Sequence, residues 1–350
     1  MKPSTFFGFA GITAASVVAA VFAVSTQSDK ISLTAGTEAA FPKLLAAVND
    51  VAKIEFKNSK GSFSISRDGD EWGMDQKEGY RVEFEKVKST IVSLSQFKLI
   101  EQKTSDPERY ERLEVAMPNS PESKGRFVVL KKQDGSILAS AVIGKLSPNL
   151  FGSGGAGTYI RRTGDKETWL ARGKVDLGEE PSNWMARTIV DYGQEKVQRA
   201  TITHPDGHTF SISKMAETDK NFVLDSVPVG RKLKNSDELN PLGGVMWRMM
   251  FDDVKKADQQ KWPDKQWTAH YSTWSGVRVK IQTAKVDGEF WGRFSAKIDE
   301  GVTDEAKKNT ASQIAKEINQ RTANWSYKLT DGDSEKLTFP VDEYLVKSKK

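Results

Sequence analysis

Apolar and polar positions alternate with a period of two in two series of short stretches that run in the same order along the chain. In the first series, Ile54 and Phe56 alternate with charged residues and Phe63 and Ile65 with serines, and Trp72 and Met74 follow the turn "RDGDE". A period of two belongs to strands with one buried face, so these stretches predict an antiparallel meander. A short helix is expected before it, from Pro42 to Val51. After it the period changes: Val87, Ile91 and Leu94 recur at spacings of three and four, which predicts a helix over 85–97. Hairpins are expected at Asp134-Gly135 and Gly164-Asp165. The stretch "EEPSNWMARTIVDYG" reads as a helix closing the first unit, with Gly193 past its end.

The second series repeats this plan. Ala200 and Ile202, Phe210 and Ile212, and Phe222 and Leu224 predict three more meander strands. "VMWRMMFDDV" is expected to be helical, and a hairpin should turn at Ser275-Gly276. The tetrapeptide "FSIS" occurs at Phe63 to Ser66 and again at Phe210 to Ser213. Phe56 aligns with Ile202, Ile100 with Val254, and Ile137, Ala139 and Ala141 with Val277, Val279 and Ile281. The offset between partners shifts only at loops, which tolerate length changes that strands do not. The expected fold class is therefore α+β, with two similar domains related by internal duplication, each a meander plus helix plus hairpins. They are placed at 41–193 and 194–350, the second with an extra amphipathic helix near 304–321 carrying Ile314 and Ile318 on one face. "NWSYKL" after that helix echoes "ETWLA" of the first copy.

Residues 6–24 carry no charge, which is a bilayer-spanning length for a helix, with Lys2 before them and Asp29 and Lys30 after. Residues 1–26 thus read as a signal-anchor or a signal peptide, and 27–40 as a polar connector. Lys2 on the short side would keep that end in the cytoplasm. The expected location is the bacterial inner membrane, single-pass through residues 6–24, with the C-terminal bulk in the periplasm. Cleavage after Ala23 or Ser25 would instead leave a soluble periplasmic protein.

Composition narrows the chemistry. The absence of cysteine in 350 residues excludes disulfides, thiolate metal sites and a cysteine nucleophile. The 52 basic and 47 acidic residues are interspersed, so no nucleic-acid partner is expected. Gly152, Gly154 and Gly157 satisfy G-x-G-x-x-G, but strand-like "TYIRR" follows where a dinucleotide fold needs a helix, so a hairpin loop is expected. His204 and His208 flank a Pro-Asp-Gly turn, with only His270 as a third imidazole. Asp68, Asp70 and Glu71 decorate a turn, and Asp252 and Asp253 are expected to end a helix. No catalytic, cofactor or metal residue is assigned, and the expectation is a non-enzymatic protein. Trp72, Trp169 and Trp325 are expected to face the core. Trp247, with Met250 and Phe251, lies in a segment apolar on more than one face and is the candidate partner-binding surface.

The runs "GTEAAFPKLLAAVNDVAKIEF", "DGDEWGM", "GYRVEFEKV", "TSDPERYERL", "AVIGK", "TYIRR" and "TWLA" resemble the bacterial domain-of-unknown-function family 4340. That family usually has Gly-Leu after the Tyr-x-x-Leu of "YERL", where this chain has Glu114-Val115. The resemblance implies an N-terminal membrane segment and genes beside an ABC transporter permease and a gliding-motility-type auxiliary protein. It therefore implies an accessory of an ABC-type transport system that binds a permease, an auxiliary envelope protein or cargo. Two further readings stand beside it: a secreted cell-wall glycan or peptide binding module, and a hydrolase with a dispersed carboxylate site.

Overall fold

The computed structural model describes residues 38–148, 150, 155–235 and 237–347. The apolar segment 6–24, most of the connector, Gly152 and Gly154 lie outside the described residues. Among the described residues, no helix is long and apolar enough to cross a membrane. The chain divides into two compact units, the first ending at Ala186 and the second beginning at Arg187. Both are α+β and dominated by a large antiparallel sheet.

The first unit contains β1 (Lys53–Asn58), β2 (Gly61–Asp68), β3 (Glu71–Met74), β4 (Tyr80–Arg81), β5 (Lys98–Gln102), β6 (Arg126–Lys131), β7 (Ile137–Ser147), β8 (Gly157–Arg162) and β9 (Trp169–Arg172). They form one sheet in the order β4-β3-β2-β1-β6-β7-β8-β9-β5. Helix α1 (Pro42–Ala46) precedes the meander, and α2 (Phe84–Ser95) buries Val87, Ile91 and Leu94, the residues whose spacing predicted it. Ile54, Phe56, Phe63, Ile65, Trp72 and Met74 are all buried, as the alternation requires. The expected helix over 179–193 is replaced by a single turn at Pro181–Asn183 followed by extended chain. Three consecutive residues, Trp184, Met185 and Ala186, are buried there, which one face of a helix does not allow. Trp184 is fully enclosed, its ring 4.7 Å from that of Phe56 and its indole N–H donated to the Leu177 carbonyl at 2.9 Å.

The second unit contains β10 (Thr188–Val190), β11 (Val197–Thr203), β12 (Thr209–Ser213), β13 (Val223–Leu224), β14 (Arg231–Leu233), β15 (Met249–Lys256), β16 (Trp267–Thr273), β17 (Val277–Val286), β18 (Glu289–Ile298), β19 (Trp325–Leu329) and β20 (Leu345–Lys347). Nine of them form the sheet β13-β12-β11-β16-β17-β18-β19-β15-β10, and β14 pairs with β20. The helix expected at "VMWRMMFDDV" is not formed. Helix α3 (Asn240–Gly243) is one turn, and β15 takes over at Met249, pairing Phe251 with Leu329 and Val254 with Tyr327. The helical preference of Met and Arg is worth a few tenths of a kcal/mol per residue, too little to outweigh a buried ladder. Helix α4 (Glu305–Thr322) matches the expected extra helix, with the Asp304 carboxylate accepting the Lys307 N–H at 2.7 Å. It buries Ala311, Ala315, Ile318 and Thr322. The Asn319 amide accepts the Ala296 N–H and donates to the Ala296 carbonyl, both at 2.8 Å. Helix α5 (Asp331–Thr338) follows β19.

The two sheets share a strand order: β3-β2-β1-β6-β7-β8-β9-β5 in one, β13-β12-β11-β16-β17-β18-β19-β15 in the other. Registers agree as well. Ile54 faces Ile65 and Phe56 faces Phe63, as Ala200 faces Ile212 and Ile202 faces Phe210. Ala139 and Ala141 occupy the places of Val279 and Ile281. A bulge falls at the same point of both closing ladders, between Leu99 and Glu101 and between Phe251 and Asp253. That ladder shifts one expected equivalence: Gln102, opposite Trp169, holds the place of Val254, opposite Tyr327, so Ile100 and Val254 are not partners.

Candidate functional site

The segment carrying Trp247 is fixed from both sides. Leu239, Leu242, Val245, Met246 and Met249 are almost wholly buried. Gly243 lies against the Phe222 ring so closely that a Cβ would come within 2.1 Å of it. The Trp247 N–H is donated to the Gly244 carbonyl at 3.0 Å. Arg248 then takes a left-handed conformation, φ 48°, with its N–H held by the Asp191 carboxylate at 3.0 Å. The Tyr192 N–H reaches back to the Met246 carbonyl at 2.8 Å.

Between these anchors Trp247 is turned outward and is 61% exposed. It borders a concavity of about 460 Å³ shared with Asp191, Gln194, Glu195 and Lys196. The Arg248 guanidinium lies 6.0 Å from its ring centre, and Lys196 the same distance from the Tyr192 ring. Burial pushes the Tyr192 phenol above its ordinary range. Met250 is 42% exposed on β15, opposite Thr188. Phe251 is the exception among the three candidates: its side chain is fully buried, 5.3 Å from the Tyr327 ring. Strand alternation places it on the face opposite Met250, so it supports the surface from beneath without presenting to a partner. An indole displayed on a fixed turn beside a polar hollow has the form of an interface anchor.

The remaining sequence candidates are dispersed. His204 and His208 close a turn: the His204 N–H bonds the His208 carbonyl at 2.8 Å, and the Asp206 carboxylate accepts the His208 N–H at 3.0 Å. His270 lies on β16 opposite Thr201 and Lys280. Among the described residues, no group of three or more His, Asp or Glu side chains could hold a metal ion. Gly157 opens β8. Asp68 and Glu71 face each other across the β2–β3 turn, and Asp70 lies 3.7 Å from Arg67. Asp252 and Asp253 are on strand β15, not at a helix end, and Asp252 pairs with Arg187 at 3.2 Å. Trp72 is buried, whereas Trp169 and Trp325 are only half-buried, Trp325 beneath the Lys256 ammonium at 4.2 Å.

A polar cluster on each meander was not anticipated from the sequence. In the first unit, the Asp75 carboxylate accepts from the Ser64 and Ser66 hydroxyls at 2.6 and 3.0 Å and pairs with Lys53 at 3.0 Å. In the second, Asp225 accepts from Ser213 and pairs with Arg199. The registers make these equivalent, since Lys53 faces Ser66 and Arg199 faces Ser213, and each Asp directly follows the third strand. The repeated serines of "FSIS" were the available signal.

The chain is thus a two-unit α+β protein dominated by antiparallel sheets, with the Trp247 indole exposed on a fixed turn. The family Domain of unknown function (DUF4340) matches residues 72–269, more than half of the chain, and the chain belongs to this family. No curated protein and no solved structure matches it.

Proposed function

We propose that the protein is a non-enzymatic accessory of an ABC-type transport system, held at the bacterial inner membrane by residues 6–24 with its bulk in the periplasm. It acts by binding a permease or an auxiliary envelope protein through Trp247 and Met250. The observation that carries this reading is the outward indole of Trp247 on a turn fixed by Gly243, Asp191 and Tyr192. The membrane segment and the gene neighbourhood implied by the family resemblance supply the location and the partner class. Shared strand order, shared registers and the matching Asp75 and Asp225 clusters support descent of both units from one duplicated ancestor.

The test is photo-crosslinking in intact cells from a reactive amino acid at position 195, exposed on the hollow beside Trp247, with position 223 on another exposed strand as control. A transport-system protein captured at 195 alone, and lost with Trp247→Ala or Met250→Asp, is the expected result. Capture of no envelope protein would overturn the partner reading. Recovery of the chain in the soluble periplasm, shortened to a start near Val24 or Thr26, would overturn the anchor.

A further inference from the structure

We propose that the first unit holds a binding site for a small phosphate-bearing anion. The site is a cavity of about 420 Å³ where the segment after β5 meets the end of β7 and the start of β8. This volume lies within the range of small-molecule sites. Among the described residues four cationic side chains line it, Lys103, Arg109, Arg112 and Lys145, and no carboxylate does. Lys103 is paired with Glu101 at 2.5 Å and Arg109 with Asp106 at 3.3 Å. Arg112 and Lys145 have no ion-pair partner among the described residues, so two positive charges remain uncompensated.

The other lining groups suit the same ligand. Tyr159 and Ser147 offer hydroxyls with no hydrogen-bond partner among the described residues, and the Thr104 hydroxyl, whose oxygen accepts the Asp106 N–H at 3.1 Å, keeps its proton to donate. Leu113 is the one aliphatic side chain on the wall among the described residues. A phosphate monoester brings close to two negative charges and three acceptor oxygens, which matches two free cations and several donors better than a single carboxylate. The planar Arg112 guanidinium can grip two phosphate oxygens at once.

The loop bearing Arg112 is set in place before any ligand arrives. The Tyr110 hydroxyl donates to the Lys166 carbonyl at 2.5 Å, and the Arg161 guanidinium covers its ring at 4.6 Å. Val115 is fully buried, and the segment lies on two glycines: a Cβ on Gly125 would come within 2.2 Å of the Ala116 carbonyl, and one on Gly144 within 2.4 Å of the Leu113 carbonyl. The concavity of about 710 Å³ in the second unit differs in kind, because its Arg199 and Arg278 are already paired with Asp225 and Asp299. The phosphate site does not rest on the Trp247 reading.

The experiment is calorimetric titration of the full-length chain in neutral detergent with inorganic phosphate, with glycerol 1-phosphate and with dihexanoyl phosphatidic acid. Saturable one-to-one binding is expected, weakened about tenfold by Arg112→Gln and by Lys145→Gln and about threefold by Tyr159→Phe. Lys307→Gln in the second unit should leave it unchanged. These side chains are at least partly exposed, and the unchanged melting temperature of each variant verifies its fold. Phosphatidic acid binding without free-ester binding, lost in the Arg112→Gln, Lys145→Gln double variant, would identify the phosphate as a lipid headgroup. No saturable binding of any of the three, or binding that survives the double variant, overturns the site.

Discussion

Ser66 donates its hydroxyl proton to the Asp75 carboxylate at 3.0 Å, closing the polar face of the first meander. Burial opposes the charge on Asp75, but hydrogen bonds from Ser64, Lys53 and Ser66 outweigh it and hold the carboxyl below its ordinary 3.8. A lowered carboxyl contributes stability that is present above pH 3.8 and lost as the pH falls through the lowered value. Asp75→Asn should therefore cost about 1–3 kcal/mol at pH 7 and leave a smaller loss of stability between pH 4 and pH 2. Urea unfolding across that range measures both.

Glu114 takes a left-handed conformation, φ 60°, at the position where the family resemblance implies glycine. The buried Val115 next to it and the close seat on Gly125 and Gly144 leave the backbone no other course. Glu114→Gly should stabilise the first unit by about 1 kcal/mol, since a left-handed non-glycine residue carries a cost of about 1–2 kcal/mol and glycine returns part of that as unfolded-state entropy. Differential scanning calorimetry should show a rise of about 2–4 °C. No rise would mean the loop relaxes to accommodate glutamate.

Phe251 and Trp247 should separate stability from recognition. Phe251→Ala opens a cavity in a closed core and should destabilise the second unit by about 3–5 kcal/mol. Trp247→Ala, at an exposed site, should change stability by less than about 0.5 kcal/mol while abolishing partner capture. Paired denaturation and crosslinking assays test this, and a large stability loss for Trp247→Ala would show that the indole is structural.

His270 gives a second pH dependence with a different window. Burial, aided by the charges of Lys280, Arg278 and Lys297, holds the imidazole below its ordinary 6.5. The unfolded chain then takes up the proton first, so folding stability falls as the pH drops below 6.5 and gains nothing above it. Burial lowers His204 in the same way. His270→Gln should shrink the drop in melting temperature between pH 7.5 and pH 5.5, and the double change with His204→Gln should shrink it further.

Strands whose apolar residues alternate could be read directly, because Phe56, Ile65, Ala200 and Ile212 state their own face. Segments with consecutive apolar residues could not. Trp184-Met185-Ala186 and Met249-Met250-Phe251 fit a helix as well as a strand when taken locally, and the choice is made by Phe56 and Leu329, far away in sequence. Trp247 was legible as unusual, whereas the burial of Phe251 depended on that same unread pairing. The basic cavity was hidden for a related reason. Arg112, Lys145 and Tyr159 come from three separate segments, and each alone is an ordinary polar surface residue.

Helix α4 interrupts the run of strands between β18 and β19, and such an interruption leaves main-chain groups of β18 without a neighbouring strand. Asn319 supplies to Ala296 both the donor and the acceptor that a neighbour would have offered, and the Thr322 hydroxyl reaches the Phe294 carbonyl at 3.1 Å. An inserted segment at this hairpin is thus under a chemical obligation that an ordinary surface loop escapes: it must imitate a strand. Losing that mimicry would turn an interior seam into an adhesive edge, open to the next chain that offers a backbone. Growth of the scaffold at this point is therefore limited less by the length added than by whether the addition brings its own amide.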